Sequence, residues 1–347
     1  MKRYLKPRNL IWLAAIPLII IAIRIFPWSE IIAALQSLTL GEITVLIVLN
    51  GFILLVFSSR WWFILRACGY RISYVRLSGI RLAGFAISYF SPGTQFGGEP
   101  LQAYLVQNKH GVPVSTAIAS VTLDKLFEIM ANFAFLVTGV ILTLKNDLVP
   151  GLAPANAGVC ISTLLALPLA YFGVLWLRHY PLSWLVTRLP KKIAGRATVQ
   201  KICSVVTISE KQIAEVVRQK PLLMFWILLL SIFVWLLMIV EYWLMVRFLG
   251  APINLLQAVA GLTAVRLAFL TPLPGGVGLL EAGQVLVMEA FGYSAALGIT
   301  LSLLIRARDL LIGLASLWAG GFASSRPVGS PDLQSLAPES QGAVNGD

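Results

Sequence analysis

Charged side chains stand inside runs of sequence that are otherwise apolar. SVTLDKLFEIMANF carries Asp124, Lys125 and Glu128, and LSLLIRARDLLIG carries Arg306, Arg308 and Asp309. Lys125 with Glu128, and Arg306 with Asp309, lie three residues apart, which puts both members of each pair on one face of a helix. Ionisable groups within an apolar span are costly and face a partner or a polar cavity. They could serve only to tie helices together. Exchanging such pairs for apolar residues is, however, often neutral or stabilising, so the retention of several favours a polar passage. Carboxylates in such a passage could also act as acid or base on a lipid-linked substrate.

Two stretches rich in glycine and proline, SPGTQFGGEP (91–100) and TPLPGGVGLLE (271–281), each separate two short apolar runs. The runs are 75–90 and 97–108 around the first, and 255–270 and 278–291 around the second. A helix of about 12–16 residues is only about 18–24 Å long, too short to cross a hydrocarbon core of about 30 Å. Each pair is therefore expected to form a re-entrant hairpin; ordinary surface loops between short helices are the alternative. Irregular backbone at membrane depth needs protein or a wet cavity to satisfy it. The second helix of each hairpin would offer free N–H groups to an anion, and glycine lets a ligand approach the backbone.

The expected binding set is therefore Pro92, Gly93, Gly97, Gly98 and Glu99 from the first hairpin, and Pro274, Gly275, Gly276, Gly278 and Glu281 from the second. Asp124, Lys125, Glu128, Arg306 and Asp309 complete it. Phosphate on the helix N-termini, helped by Lys125 and Arg306, with carboxylates accepting hydroxyl or ammonium groups, describes a phospholipid headgroup. Glu99 and Glu281 could instead only complement helix dipoles. Arg266 and Glu241 could line the same path. Cys68, Cys160 and Cys203 are far apart, and His110 and His179 are the only histidines, so neither a metal nor a cofactor is expected.

The elements that must position these residues follow from composition. A chain of 347 residues that is 58% hydrophobic and 12% charged has the balance of an integral membrane protein. Runs at 10–27, 43–65, 114–144, 158–177, 222–249 and 294–321 each approach the roughly 20 apolar residues of a membrane span. The fold class expected is all-α and polytopic, with about six full spans plus the two hairpins. The first run lacks a small-residue cleavage site and reads as a retained helix.

The net charge of +12 is concentrated at 178–220, where nine Lys or Arg face two Glu. That placement points to a membrane surface and not to nucleic acid. With Lys2, Arg3, Lys6 and Arg8 at the start and Arg66, Arg71, Arg76 and Arg81 in the next basic connection, the positive-inside bias puts both termini in the cytoplasm.

Self-comparison finds a duplication. RWWFILRACG (60–69) lies over EYWLMVRFLG (241–250), matching Trp62 with Trp243, Arg66 with Arg247 and Gly69 with Gly250 at an offset of 181. Offsets of 181 or 182 also pair Pro92 with Pro274, Glu99 with Glu281, Lys125 with Arg306 and Glu128 with Asp309. One copy enters the bilayer from outside and the other from the cytoplasm, the inverted repeat common in transporters. The domains expected are 1–42 with the first span, 43–145 as repeat 1 (hairpin near 75–108) and 146–221 with a fourth span and the basic segment. Residues 222–322 form repeat 2 (hairpin near 255–291), and 323–347 a disordered tail rich in Ser, Pro and Gly.

SYFSPGTQFGGEPLQAYLVQNKHGVPVSTAIASVTLDKLFE and FLTPLPGGVGLLEAGQVLVMEAFGYSAALGITLSLLIRARDLL resemble the two signatures of the flippase-like membrane domain of lysylphosphatidylglycerol synthases. That domain is the N-terminal part of the multiple peptide resistance factor and also occurs as stand-alone proteins. The resemblance covers about residues 8–322. It implies a multi-pass protein of the cell (inner) membrane that moves a polar or aminoacylated phospholipid between leaflets, a transporter and not an enzyme. Pro92, Gly93, Gly97, Gly98, Glu99, Asp124 and Lys125 fall on the first signature; Pro272, Pro274, Gly275, Gly276, Gly278, Glu281 and Arg306 fall on the second.

Two departures qualify the resemblance. The full synthase continues into a soluble aminoacyl-transfer domain where this chain has a short tail, so aminoacylation is not expected. Thr94, Gln95 and Phe96 stand where a further glycine is common, which leaves lipid choice open. Membrane phospholipids are the expected partners. An intramembrane transferase acting on a lipid-linked substrate, or a membrane partner for a separate lipid-modifying synthase, are the competing functions.

Overall fold

The computed structural model describes residues 28–90, 97–149, 154–188, 197–271 and 276–325. The expected span at 10–27, the turns holding Pro92, Gly93, Pro272, Pro274 and Gly275, and the tail from 326 lie outside the described residues. Twelve helices make up the described chain, in order α1 (Trp28–Gln36), α2 (Leu40–Ala67), α3 (Tyr74–Phe90), α4 (Glu99–His110), α5 (Val114–Lys145) and α6 (Pro154–Trp176). They continue with α7 (Pro181–Thr187), α8 (Ala197–Gln219), α9 (Pro221–Phe248), α10 (Leu255–Phe269), α11 (Leu279–Ala290) and α12 (Ala295–Ser325). The all-α class is as expected from the sequence.

Three helices, α2, α5 and α9, are long and apolar enough to cross a membrane; Leu165–Trp176 and Leu255–Phe269 are shorter apolar helices. At about 1.5 Å per residue, the 28 residues of α2 and the 32 of α5 exceed a hydrocarbon core of about 30 Å. Their outward faces are aliphatic: Ile47, Val48 and Leu55 on α2 and Leu222, Phe225 and Leu236 on α9 are exposed. Lipid accepts such surfaces where water would not. The 17 residues of α3 and the 15 of α10 are too short to cross alone.

Local chemistry fixes the helix ends. Thr39 and Glu42 form a capping box at the start of α2, and Asn254 and Gln257 form another at α10. Beyond α2 the indole of Trp62 donates to the Ile72 carbonyl at 2.9 Å, and beyond α9 the indole of Trp243 donates to the Ile253 carbonyl at 2.9 Å. Arg66 lies over the Trp62 ring and Arg247 over the Trp243 ring.

Helices α2 and α9 run antiparallel in contact. Lys220, just before α9, donates to the carbonyl of Ala67 at the end of α2; Arg60 meets Ser231, Phe52 meets Phe233 and Asn50 meets Glu241. The packing partners fall into matching sets. α3 lies on α12 as α5 lies on α10, α4 packs on α5 as α11 packs on α12, and α3 packs on α4 as α10 packs on α11. One buried core, around Trp61, Leu77, Ile80 and Leu105, joins α2 to α5; a second, around Tyr242, Leu262, Leu280 and Leu304, joins α9 to α12.

Part of the basic segment is packed into the protein. Ile213, Ala214 and Val217 of α8 are buried with Leu123, Leu175 and Ile227 against α5, α6 and α9. Glu210, itself buried, accepts hydrogen bonds from the Leu182 and Ser183 amides at the start of α7 and from Tyr171.

Candidate functional site

A cavity of about 230 Å³ opens between the two sets of helices and takes its lining from α2, α3, α4, α5, α9, α10 and α12. Asn50, Ile53, Leu54, Phe57 and Arg60 line it from α2, and Ser231, Val234, Trp235, Met238 and Glu241 line it from α9. Each residue of the second group stands 181 positions after its counterpart in the first. The same offset relates Phe85 to Arg266, Ser88 to Phe269 and Glu128 to Asp309, all of them lining residues.

Charge inside the cavity is arranged in two networks. In the first, Asp124 bridges two arginines: its Oδ1 is 2.6 Å from Arg60 Nε and its Oδ2 is 2.7 Å from Arg81 Nη1. Glu128 lies further off, 3.6 Å from Arg60 and 3.9 Å from Arg81. Lys125 Nζ sits between Glu128 at 2.8 Å and Glu99 at 3.0 Å. Both guanidinium groups lie over the Phe57 ring, a cation–π arrangement that adds to the pairing in a desolvated setting.

In the second network Arg308 joins two carboxylates, Glu241 at 2.9 Å and Asp309 at 2.7 Å, and Asn50 donates to Glu241 at 2.7 Å. The polarity is reversed between the two. Arg60 on α2 pairs with an acid on α5, whereas Glu241, its counterpart on α9, pairs with an arginine on α12.

Of the residues expected from the sequence, Glu99, Asp124, Lys125, Glu128 and Asp309 line this cavity together. Arg306 and Glu281 do not line it; they form a separate pair, Arg306 Nε to Glu281 Oε1 at 2.6 Å, with Arg306 fully buried. Three amides just before α4 and α11 are held by the protein itself. Gly97 N–H donates to Glu99 at 2.8 Å, Gly98 N–H to Ser88 at 2.9 Å and Gly278 N–H to Glu281 at 2.8 Å. Gly278, at φ +84, reaches this geometry through a backbone region that L side chains rarely adopt. Gly98 serves by size, because a Cβ there would strike the backbone of Gly84 in α3. Gly276 does not line the cavity either.

Sequence reasoning missed Arg60 and Arg81. Arg81, counted above as a basic connection residue, is instead buried within α3 and paired to Asp124. The available signal was an arginine inside the apolar run 75–90. For Arg60 it was the position aligned with Glu241, an ionisable residue at the same place in both copies.

Exposed aliphatic helices around a buried, charge-lined cavity define a polytopic integral membrane protein with a polar interior site. The chain belongs to the family described as the lysylphosphatidylglycerol synthase TM region, which it matches over residues 10–316. It is similar to a UPF0104 membrane protein of Methanothermobacter thermautotrophicus, 24% identical over 318 residues that cover 89% of this chain and 91% of the relative. A second match to a UPF0104 membrane protein of that organism is 31% identical over 115 residues, 33% of this chain and 32% of the relative. UPF0104 membrane protein MJ1595 of Methanocaldococcus jannaschii is 23% identical over 100 residues, 29% of this chain and 30% of the relative. No solved structure matches the chain.

Proposed function

We propose that the chain is a flippase-like carrier that moves a polar or aminoacylated phospholipid headgroup between leaflets, with the headgroup in the charged cavity and the acyl chains in the bilayer. The observation that carries this reading is the cavity itself: ten ionisable side chains facing one space inside an apolar helical protein. Charge of this density in lipid surroundings is costly, and a polar cargo gives it a use. The family's association with lysylphosphatidylglycerol synthases favours a lipid cargo.

The carrier reading includes an inverted repeat, residues 43–145 and 222–322. It is supported by the 181-residue offset that relates eight pairs of lining residues, by the equivalent Trp62 and Trp243 hydrogen bonds, and by the antiparallel contact of α2 with α9. In this reading α3–α4 and α10–α11 are re-entrant hairpins, and Glu99, Asp124, Lys125, Glu128 and Asp309 face the headgroup. Gly97, Gly98, Gly276 and Gly278 shape the second-helix starts, and Glu281 with Arg306 braces one of them. The protein sits in the cell membrane with both termini cytoplasmic. A separate lipid-modifying synthase is the partner that would supply an aminoacylated cargo.

The test is transbilayer movement of leaflet-labelled phosphatidylglycerol and its lysyl derivative in proteoliposomes. Wild-type protein should accelerate the movement, and Glu99→Gln and Glu128→Gln should slow it at least about tenfold, the loss of one charged contact. Unchanged lipid movement with folded wild-type protein overturns the carrier reading. Orientation is tested by labelling Asp147→Cys and Leu185→Cys, two exposed positions, from either side of the membrane: they should react from opposite faces.

A further inference from the structure

Arg266 is the guanidinium lining the cavity that no carboxylate of the described residues pairs with. Arg60 and Arg81 share Asp124, Lys125 lies between two glutamates, and Arg308 joins two acids. Arg266 has only soft company. Its Nη2 points at the Met238 sulfur at 3.2 Å, its plane lies 4.9 Å from the centre of the Trp235 ring, and its Nε is buried without a hydrogen-bond partner. A thioether is a weak acceptor, so most of this side chain's donors are unspent. A buried donor left unsatisfied is destabilising, more so when it is charged.

Placement separates Arg266 from a packing accident. It stands on α10, a helix that packs against α5, and the charges that act on it come from both networks: Glu128 from the first, Arg308, Asp309 and Glu241 from the second. In the first set of helices the positions 181 and 182 residues earlier are Phe85 and Gly84, neither of them charged, so the cation is an addition to one side of the cavity. The Trp235 ring that backs it is itself stacked on Phe135, centroids 4.2 Å apart, which holds the guanidinium facing inward.

We propose that Arg266 is the anchor for the phosphate group of the cargo. The inference rests on the carrier reading and names the group that the site grips. A planar guanidinium presents paired N–H donors that match two oxygens of a phosphate ester, and a phosphodiester monoanion supplies the single negative charge and the acceptors that the protein withholds here. Glu241 and Asp309, two acids sharing the one Arg308, lie beyond it to receive a hydroxyl or ammonium group of the same headgroup. This assigns the anion to Arg266, away from Lys125 and Arg306, whose charges are met by glutamates.

The test uses the purified full-length chain in a zwitterion-free neutral detergent. Binding of inorganic phosphate, glycerol 1-phosphate and a short-chain phosphatidylglycerol is measured by calorimetry, and melting is followed in phosphate-free buffer. Arg266→Gln should weaken at least one of the three probes about tenfold or more, the loss of a charge-assisted contact, and should raise Tm without ligand, because it removes a buried cation that no carboxylate pairs with directly. Arg66→Gln, a cation over Trp62 outside the cavity, should leave binding as it is.

Binding of inorganic phosphate as tight as that of the lipid marks a phosphate site in general; binding of the lipid alone marks a headgroup site. Equal binding of all three probes to wild type and Arg266→Gln overturns the proposal, as does wild-type protein that binds none of them. The two readings separate cleanly. Arg266-dependent binding without lipid movement in proteoliposomes keeps the anchor and removes the carrier, whereas lipid movement that persists with unaltered binding in Arg266→Gln removes the anchor and keeps the carrier.

Discussion

Replacing Asp124 by Asn tests whether the first network is held by one shared carboxylate. Asp124 is 4% exposed and meets Arg60 and Arg81 at 2.6 and 2.7 Å, and both arginine side chains are at most 6% exposed. Removing its charge leaves two buried cations with Glu128 alone, at 3.6 and 3.9 Å and partly exposed. Breaking one buried pair by removing a partner costs about 3–5 kcal/mol, and here one substitution breaks two. With an unfolding entropy of about 2.1 cal/mol/K per residue, each kcal/mol moves Tm by about 1.4 °C in a chain of this length, so a fall of at least about 4–7 °C is expected. Fluorescence-detected size-exclusion after heating measures it.

The ordering of variants is sharper than the magnitude. Arg81→Met leaves the Arg60–Asp124 pair intact and should cost less than Asp124→Asn. Arg81→Met in the Asp124→Asn background removes one stranded cation and should recover part of the loss, a coupling visible in the double-mutant cycle. Asp124→Asn melting at the wild-type temperature, or Arg81→Met costing more than Asp124→Asn, would refute the shared-carboxylate account.

Two further perturbations probe the positions that hold the site in place. Gly98→Ala puts a Cβ against the Gly84 backbone, which cannot swing aside, so its cost should lie at or beyond the upper end of the roughly 1–3 kcal/mol of overpacking; Gly278→Ala meets no atom within 4 Å and should cost only the backbone strain of about 1–2 kcal/mol, so yield of monodisperse protein should fall far more for the first. His110, at the end of α4, is pushed below its ordinary 6.5 by burial and then by Arg76 and Lys109. Its neutral form is favoured in the fold, so stability is full above about pH 6.5 and is lost as pH falls below it. Melting at pH 7.5 and 5.5 should show a smaller drop for His110→Gln than for wild type.

Element positions were legible because membrane helices announce themselves by length and apolarity: the expected runs 43–65 and 114–144 fall within α2 and α5, and 222–249 ends one residue beyond α9. The charged cavity was half legible for the same reason. Asp124, Lys125, Glu128 and Asp309 stand out because each is a charge in an apolar run, whereas Arg81 borders a basic connection and reads there as a topology signal, and Arg60 enters only through its alignment with Glu241. What one dimension could not supply was the pairing. Lys125 and Arg306 are aligned cations three residues before an acid, but Lys125 takes both Glu99 and its own helix's Glu128, and Arg306 turns to Glu281 outside the cavity. Nor could sequence show that Glu99 and Glu281 would take the Gly97 and Gly278 amides, since that depends on a carboxylate folding back over the helix start.

The swap of charge between Arg60 and Glu241 bears on how such a carrier would work. An inverted pair of identical halves would offer a cargo the same contacts from either face and would give it no preferred orientation. Here the α2 side presents arginines bridged by an acid, and the α9 side presents acids bridged by an arginine. Phe85 faces the cavity from α3, while Arg266 faces it from the corresponding place on α10. A headgroup carrying both an anionic and a hydroxyl or ammonium part would therefore bind in one sense only. In the carrier reading, the matching packing partners of α2–α5 and α9–α12 would let the backbone rock between two related states while the cargo keeps its orientation. That separation of a near-symmetric frame from an asymmetric lining is what a lipid passing from one leaflet to the other, tails always in the bilayer, would require.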